Sequence, residues 1–293
     1  MKKFSNLFVM ALLTVCMGLT SCEDILGHWE KPTPVTPTPT PEPTMLETPL
    51  TLEAVSGTLT VTIKTDFATG KTIEYSTDDG ATWTAGAPSL GGGSNIDACA
   101  NPVTIEGSKI MLRGTNPAYA EESVMEVWFT KIVCDANCYI YGNVMSLIDK
   151  DNFATLTAFD TTNGTYAFYG LFEGNTYINN HAEKKLLLPA TTLAERCYSN
   201  MFEGCTLLTT APELPATTLA RSCYWHMFEN CSSLSEAWVK AAFTITYNEC
   251  GNMFKDAATG GGTLHTTAAN VTGWSGAGTD HKGNLTVDGG WTD

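Results

Sequence analysis

Residues 188–213 read LPATTLAERCYSNMFEGCTLLTTAPE, and residues 214–239 read LPATTLARSCYWHMFENCSSLSEAWV. The two stretches are identical at 15 of 26 positions, which establishes an internal repeat. A degenerate third copy keeps the frame, with Ile245, Met253 and Phe254 one period further on. Upstream, residues 171–174 match residues 201–204 at a spacing of 30, which indicates a small insertion near residues 179–184. Periods of roughly 20 to 29 residues with regular leucines are typical of stacked coils.

One copy of this repeat has too few apolar side chains to fold alone, so we expect neighbouring copies to stack. Each coil is then predicted to carry a short strand near Leu188 or Leu214. A return helical turn is predicted at Met201-Phe202 and Met227-Phe228, with these side chains inside one core.

The cysteines of the repeat recur at the same positions in both full copies. Because stacked coils lie about 4.8 Å apart, Cys197 would adjoin Cys223 and Cys205 would adjoin Cys231. Each pair could form a disulfide, or all four could be buried thiols acting as small apolar side chains. The recurrence in both copies favours buried thiols. Cys134 and Cys138, four residues apart with no histidine nearby, predict a local disulfide rather than a metal site.

Residues 46–132 consist of short β-branched runs separated by turn clusters, without helical periodicity. This pattern predicts a small antiparallel, Ig-like β-sandwich. Within it, residues 76–83 read STDDGATW and fit S-x-D-x-G-x-x-W, which resembles the Asp-box hairpin of sialidase propellers. A single copy predicts a structural turn, in which Asp78 accepts backbone hydrogen bonds and Trp83 packs beneath.

The N-terminus has the layout of a secretory signal. Two lysines precede a mostly apolar run over residues 4–19, which is too short to span a bilayer. Residues 19–22, LTSC, resemble a bacterial lipobox, which implies a signal peptide over residues 1–21 and lipid attachment at Cys22. The chain would therefore bind the membrane through acyl chains on Cys22. Residues 22–45 would be the anchor and an extended Pro/Thr-rich spacer.

Acidic residues outnumber basic residues 31 to 16, for a formal net charge of −15. Nucleic acid is excluded as a partner because nothing would neutralise its phosphates. Glu23 and Asp24 follow Cys22 directly and resemble the surface-export signal of lipoproteins from anaerobic gut bacteria. The expected location is therefore the outer membrane, with the lipid-anchored chain exposed at the cell surface.

The pattern M-F-x-x-C-x-x-L followed by a strand containing L-P closely resembles the BspA-type leucine-rich repeats of bacterial surface proteins. The resemblance implies a short leucine-rich-repeat solenoid of α/β coils over residues 133–258 and a C-terminal cap over residues 259–293. It also implies a binding or adhesion module whose partner is a host or bacterial surface protein or a glycan.

Candidate chemistry is sparse in the sequence. The five histidines are scattered, and neither H-E-x-x-H nor G-x-S-x-G occurs. We therefore expect no catalytic residues, no metal site, no cofactor and no enzymatic activity. Trp225 occupies the variable position held by Ser199 in the first copy and is the candidate binding residue, whereas Tyr198 and Tyr224 are predicted in the core. The alternative function is a glycan-binding or glycan-cleaving accessory component of a nutrient-uptake system.

Overall fold

The computed structural model describes residues 44–68, 70–90, 96–122 and 127–291. The predicted signal peptide, Cys22 and nearly all of the predicted spacer lie outside the described residues. The described residues form one compact unit. Within the described ranges, no helix is long and apolar enough to cross a membrane.

The described chain is rich in β-structure and turns, with few helices. Its strands are β1 Leu50–Ala54, β2 Leu59–Thr65, β3 Ile73–Ser76, β4 Thr84–Gly86, β5 Val103–Gly107, β6 Lys109–Gly114, β7 Ala120–Glu122, β8 Val127–Cys134, β9 Cys138–Asn143, β10 Ile178–Asn180, β11 Leu186–Leu187, β12 Glu236–Trp238, β13 Gly262–His265 and β14 Leu285–Asp288. The α-helices are α1 Val271–Gly276 and α2 Thr279–Lys282. Short 3-10 helices span Ile96–Ala98, Val144–Leu147 and Phe153–Thr155.

Two sheets organise the N-terminal part. One has the order β10-β9-β1-β6-β3-β4, with β11 also on β9, and the other has the order β5-β2-β8-β7. In β2 every second residue is buried, which is the pattern of a strand with one face on the core. Its Val61 and Ile63 join Leu52, Ile110 and Ile132 in one hydrophobic cluster.

Strand β9 belongs to both halves of the described chain. It pairs antiparallel with β1, with Thr51 opposite Tyr141, and parallel with β10 and β11. Gly142 in this strand has φ +87°, and a Cβ there would lie 2.2 Å from the Pro49 carbonyl oxygen, so the close approach of the segment that precedes β1 requires glycine. The boundary predicted at residues 132/133 falls inside β8, and the β-sheet continues across it into the repeat region.

The return segments of the repeats are not helical, so the predicted helical turns at Met201-Phe202 and Met227-Phe228, and with them the α/β coils, are wrong. Residues 196, 200 and 204 have positive φ, as do residues 222, 226 and 230 one repeat later. A right-handed helix needs negative φ throughout. A left-handed residue at every fourth position therefore replaces the helix with a ribbon of turns. The described α-helices lie after the repeats.

Backbone hydrogen bonds connect this ribbon to the next copy. Tyr198 N–H donates to the Cys223 carbonyl at 3.1 Å and Phe202 N–H to the Met227 carbonyl at 3.0 Å, while Met201 N–H bonds within its own turn to Tyr198. Consecutive N–H groups thus alternate between the neighbouring copy and the local turn. Parallel bridges also join the copies on the strand side, as between Leu214 and Val239.

Equivalent core side chains form columns through the copies. The rings of Phe172, Phe202, Phe228 and Phe254 stack with centroid separations of 5.7, 5.5 and 5.4 Å. Tyr198 and Tyr224 are buried, so their predicted core position is confirmed. In the degenerate third copy Met253 and Phe254 are buried, whereas Ile245 is 45% exposed. The following segment pairs β13 in parallel with β12 and buries Trp274 against Phe254.

The described cysteines are free thiols. The expected preference for buried thiols is confirmed in the repeats: Cys205 donates to the Phe172 carbonyl at 3.2 Å and Cys231 to the Phe202 carbonyl at 3.0 Å. The predicted Cys134–Cys138 disulfide is wrong. The two sulfurs lie 3.4 Å apart as a hydrogen-bonded pair, well beyond the roughly 2.05 Å of a disulfide.

Candidate functional site

A cavity of about 370 Å³ opens beside the short parallel strands of the repeat region. We call it the strand-side cavity. It is lined by residues 180–182 and 184–189, residues 210–213 and 215, Leu46 and Trp238. Cavities of this size with a mainly apolar lining and a few polar groups are the usual binding sites of globular proteins.

The insertion in the first repeat supplies one wall of the cavity. This insertion, which the 30-residue spacing indicates, joins β10 to β11 over residues 181–185. His181 Nδ1 accepts hydrogen bonds from the backbone N–H groups of Glu183 and Lys184 at 3.0 and 3.1 Å, which holds the turn in place. The insertion therefore presents His181, Lys184 and Lys185 beside the apolar surface of Leu187.

Repeat positions one period apart form the opposite wall. Pro212 in the first copy and Trp238 in the second occupy equivalent places, and both line the cavity. Trp238 stacks on His265 of the next strand, with ring centroids 4.8 Å apart and planes 16° apart. The indole is thereby fixed in orientation, and rigid aromatic rings of this kind are effective binding anchors.

Ion pairs border the cavity. Lys184 Nζ lies 3.0 Å from Glu53, and Lys185 Nζ lies 2.9 Å from Glu213. The Tyr141 hydroxyl also donates to Glu53. Burial opposes ionisation of Glu53, but the hydrogen bonds from Tyr141 and Lys184 outweigh it and lower the pKa of this carboxyl. Burial, together with the Glu53 charge, raises the pKa of the Tyr141 hydroxyl.

Two further acidic side chains contact His265, the residue that stacks on Trp238. His265 Nε2 lies 2.6 Å from Glu236 and Nδ1 lies 3.1 Å from Asp288. These two acids are thus engaged by His265, whereas Glu53 and Glu213 are engaged by Lys184 and Lys185. An apolar lining with a fixed indole and with ion-paired lysines at its edge is suited to holding a ligand.

The residues selected from the sequence lie elsewhere. Trp225 is half-buried on the return segment, where its ring lies edge-on to His226 at 4.2 Å and 5.9 Å from the Arg196 guanidinium. It does not line the strand-side cavity, and Cys22 lies outside the described residues. Sequence reasoning missed Trp238 and Lys185. The signals were present, since Trp238 replaces Pro212 at a variable repeat position and Lys185 is the last residue of the segment that carries the insertion.

The predicted structural turn at residues 76–83 is confirmed by its hydrogen bonds. Asp78 Oδ1 accepts from the Thr82 N–H at 2.9 Å and from the Ser76 hydroxyl at 2.7 Å. The Trp83 indole N–H donates to the Gly80 carbonyl at 3.0 Å, and the Arg113 guanidinium lies 3.9 Å above the indole. Asp78 is thereby occupied with holding the turn.

Comparison with known proteins finds no matching family model, no matching curated protein and no matching solved structure.

Proposed function

We propose that this chain is a non-catalytic, lipid-anchored lipoprotein of the bacterial cell surface that binds a partner protein. In this proposal an Ig-like β-sandwich precedes a short BspA-type leucine-rich-repeat solenoid, and residues 259–293 close its end. Cys22 carries the lipid, and the Pro/Thr-rich spacer separates the folded part from the outer membrane. The sequence resemblances support this architecture.

The strand-side cavity carries the binding proposal. Its surface combines Leu187, Pro189, Pro212 and Pro215 with the indole of Trp238. Lys185 and Glu213 stand at its rim as an exposed ion pair. An apolar centre with an aromatic anchor and a charged rim is the composition of protein-binding surfaces.

A glycan is the second candidate ligand, and the geometry at Trp238 favours it. The indole stacks flat on His265, and Glu236 and Asp288 border the pair. Sugars bind proteins by stacking a ring on an aromatic face and donating hydroxyl protons to carboxylates. Whether the ligand is a protein or a glycan is therefore decided by a binding experiment.

The binding test uses the full chain on arrays of host surface proteins, bacterial surface proteins and polysaccharides. Capture of a protein supports the first candidate, and capture of a polysaccharide supports the second. Trp238→Ala is expected to weaken binding at least tenfold, because loss of a central aromatic anchor costs about 2 kcal/mol or more. Trp225→Ala, the matched control on the return segment, is expected to retain binding. Turnover of any glycan by the purified chain would contradict the non-catalytic assignment.

The location is tested separately. Cys22→Ala is expected to abolish acylation, and protease added outside intact cells is expected to remove the wild-type protein. Survival of the protein under that treatment would contradict surface exposure.

A further inference from the structure

Outside the strand-side cavity, the return segments bring three metal-ligating side chains together. One candidate ligand atom each from Glu203, His226 and Glu229 lies within 4.8 Å of the other two. Glu203 comes from the first repeat copy, and the other two residues come from the second. The turn ribbon stacks these copies, so the grouping is a product of the fold.

The backbone sets the position of the histidine. His226 has φ +55° and lies in a column of left-handed residues, in which the neighbouring copies carry Asn200 and Asn252. Asparagine and histidine are both among the non-glycine residues that adopt this conformation most often, so the backbone accepts either residue here. The imidazole contacts Glu229 through Nδ1, and its Nε2 lies 3.5 Å from the Asn252 amide. The Trp225 ring lies against it edge-on and shields one side.

The carboxylates form an acidic column. Glu173, Glu203 and Glu229 occupy equivalent positions in successive copies, and Lys255 has that position in the next. The phenylalanines that precede Glu203 and Glu229 stack at 5.5 Å, so these side chains start one coil spacing apart. Like charges at this distance repel each other. Lys255 Nζ compensates Glu229 at 2.9 Å, whereas the Glu203 carboxylate accepts a hydrogen bond from the Asn200 amide.

A polar atom next to the cluster also lacks a partner. The Asn200 amide nitrogen donates to Glu203, while its side-chain oxygen is buried without a hydrogen-bond partner. A buried amide oxygen normally has a donor or a cation as partner. The orphaned oxygen therefore lies beside one of the three candidate ligands.

We propose that Glu203, His226 and Glu229 form a binding site for a divalent transition-metal ion, with Zn²⁺ the best fit. One imidazole and two carboxylates match the nitrogen and oxygen ligands of zinc, and a water molecule can complete four-coordination. Magnesium and calcium prefer oxygen ligands alone. Metal binding displaces Lys255 from Glu229, because the cation and the ammonium group compete for the same carboxylate. The bound ion would clamp two neighbouring repeat copies together.

The test is a titration of the purified full chain with ZnCl₂ by calorimetry, with bound metal quantified after dialysis. Wild type is expected to bind one Zn²⁺ through this site. Both neighbouring copies carry asparagine at this position, so His226→Asn is expected to keep the backbone conformation. Because it removes the imidazole ligand, it is expected to weaken zinc binding at least tenfold. Lys255→Met is expected to tighten binding, because it removes the competing cation.

All three proteins contain the same cysteines, so zinc bound by thiols contributes equally to each titration. Equal zinc affinity of wild type and His226→Asn would overturn the proposal. Absence of binding to wild type at zinc concentrations up to about 1 mM would also overturn it. In either of these cases, the His226–Glu229–Lys255 contacts are an internal ion-pair network alone.

Discussion

At the scale of single residues, the repeat region depends on side chains that stack on their own counterparts. Phe202 lies between Phe172 and Phe228, with nearly parallel rings on both sides, and it is fully buried. Truncation there leaves a cavity in the middle of a column, which the rigid hydrogen-bonded turns cannot collapse to fill.

We expect Phe202→Ala to lower the free energy of unfolding by about 3–5 kcal/mol, measured by urea denaturation. Phe202→Leu, which retains most of the volume, is expected to cost less than about 1.5 kcal/mol. Equal effects of the two changes would contradict a volume-based role for the column.

Gly204 is the second residue-scale test. It has φ +72°, and its counterpart Asn230 has φ +60°. A Cβ at Gly204 would lie 3.4 Å from the Gly174 Cα, which is ordinary contact, so backbone conformation and not space limits this position. Gly204→Asn is expected to be tolerated, whereas Gly204→Val is expected to cost about 1–2 kcal/mol in unfolding free energy. Thermal denaturation of the two variants measures the difference.

The repeat thiols give a third prediction. Burial raises the pKa of Cys197, Cys231 and Cys250 to about 12 each. Because the thiolate is the reactive form, iodoacetamide is expected not to label these residues in the native protein at pH 8. In urea without reductant they are expected to react fully. Native labelling would contradict their burial, and lack of labelling in urea would indicate disulfides.

At the scale of elements, the hairpin that joins β3 to β4 depends on one ionised carboxylate. Hydrogen bonds from the Thr82 hydroxyl and N–H, and from Ser76, lower the pKa of Asp78 to about 2 from its ordinary 3.8. A carboxyl with a lowered pKa in the folded state stabilises that state above the ordinary pKa. This contribution is therefore complete above pH 3.8 and is lost as the pH falls towards 2.

The expected result is a shift of the Trp83 indole N–H resonance as the pH falls through this range, because that group donates to Gly80 within the turn. Asp78→Asn is expected to remove the transition. Asp79→Asn is the matched control, since Asp79 pairs with Lys109 instead, and it is expected to leave the transition in place.

The conformation of the return segments could not be predicted from the sequence. Their pattern M-F-x-x-C-x-x-L spaces apolar residues by three and four, as a helix does. Asn200 and Gly204 interrupt that helix by adopting positive φ. Both residues tolerate left-handed conformations. Nothing within one copy requires positive φ at these positions, because the N–H groups of Asn200 and Gly204 find their carbonyl partners only on the next copy.

At the scale of the whole molecule, β9 joins the two halves of the described chain. It is hydrogen-bonded to β1 on one side and to β10 and β11 on the other. One hydrophobic cluster extends from Leu50 to Leu285. Because both sets of neighbouring strands bond to β9, unfolding of one set removes hydrogen-bond partners from β9 and destabilises the other set.

We therefore expect the full chain to unfold in a single cooperative urea transition, with coincident tryptophan fluorescence and circular dichroism. Fragments cut between residues 132 and 133 are expected to lack a cooperative transition, because the cut divides β8 and separates β1 from β9. Independent folding of both fragments would instead support two autonomous modules.

The sequence by itself determined the 26-residue period, the β-rich character of residues 46–132, the turn at Asp78 and the burial of Tyr198 and the repeat cysteines. These features follow from local patterns, in which identical residues recur or a side chain bonds its own neighbours. Only the tertiary structure decided the ribbon form of the return segments, the thiol state of Cys134 and Cys138, the shared strand β9 and the presence of Lys185 and Trp238 in one cavity lining. Each of these features depends on contacts between residues far apart in the chain. The free energy of such contacts cannot be inferred from the sequence of any one segment.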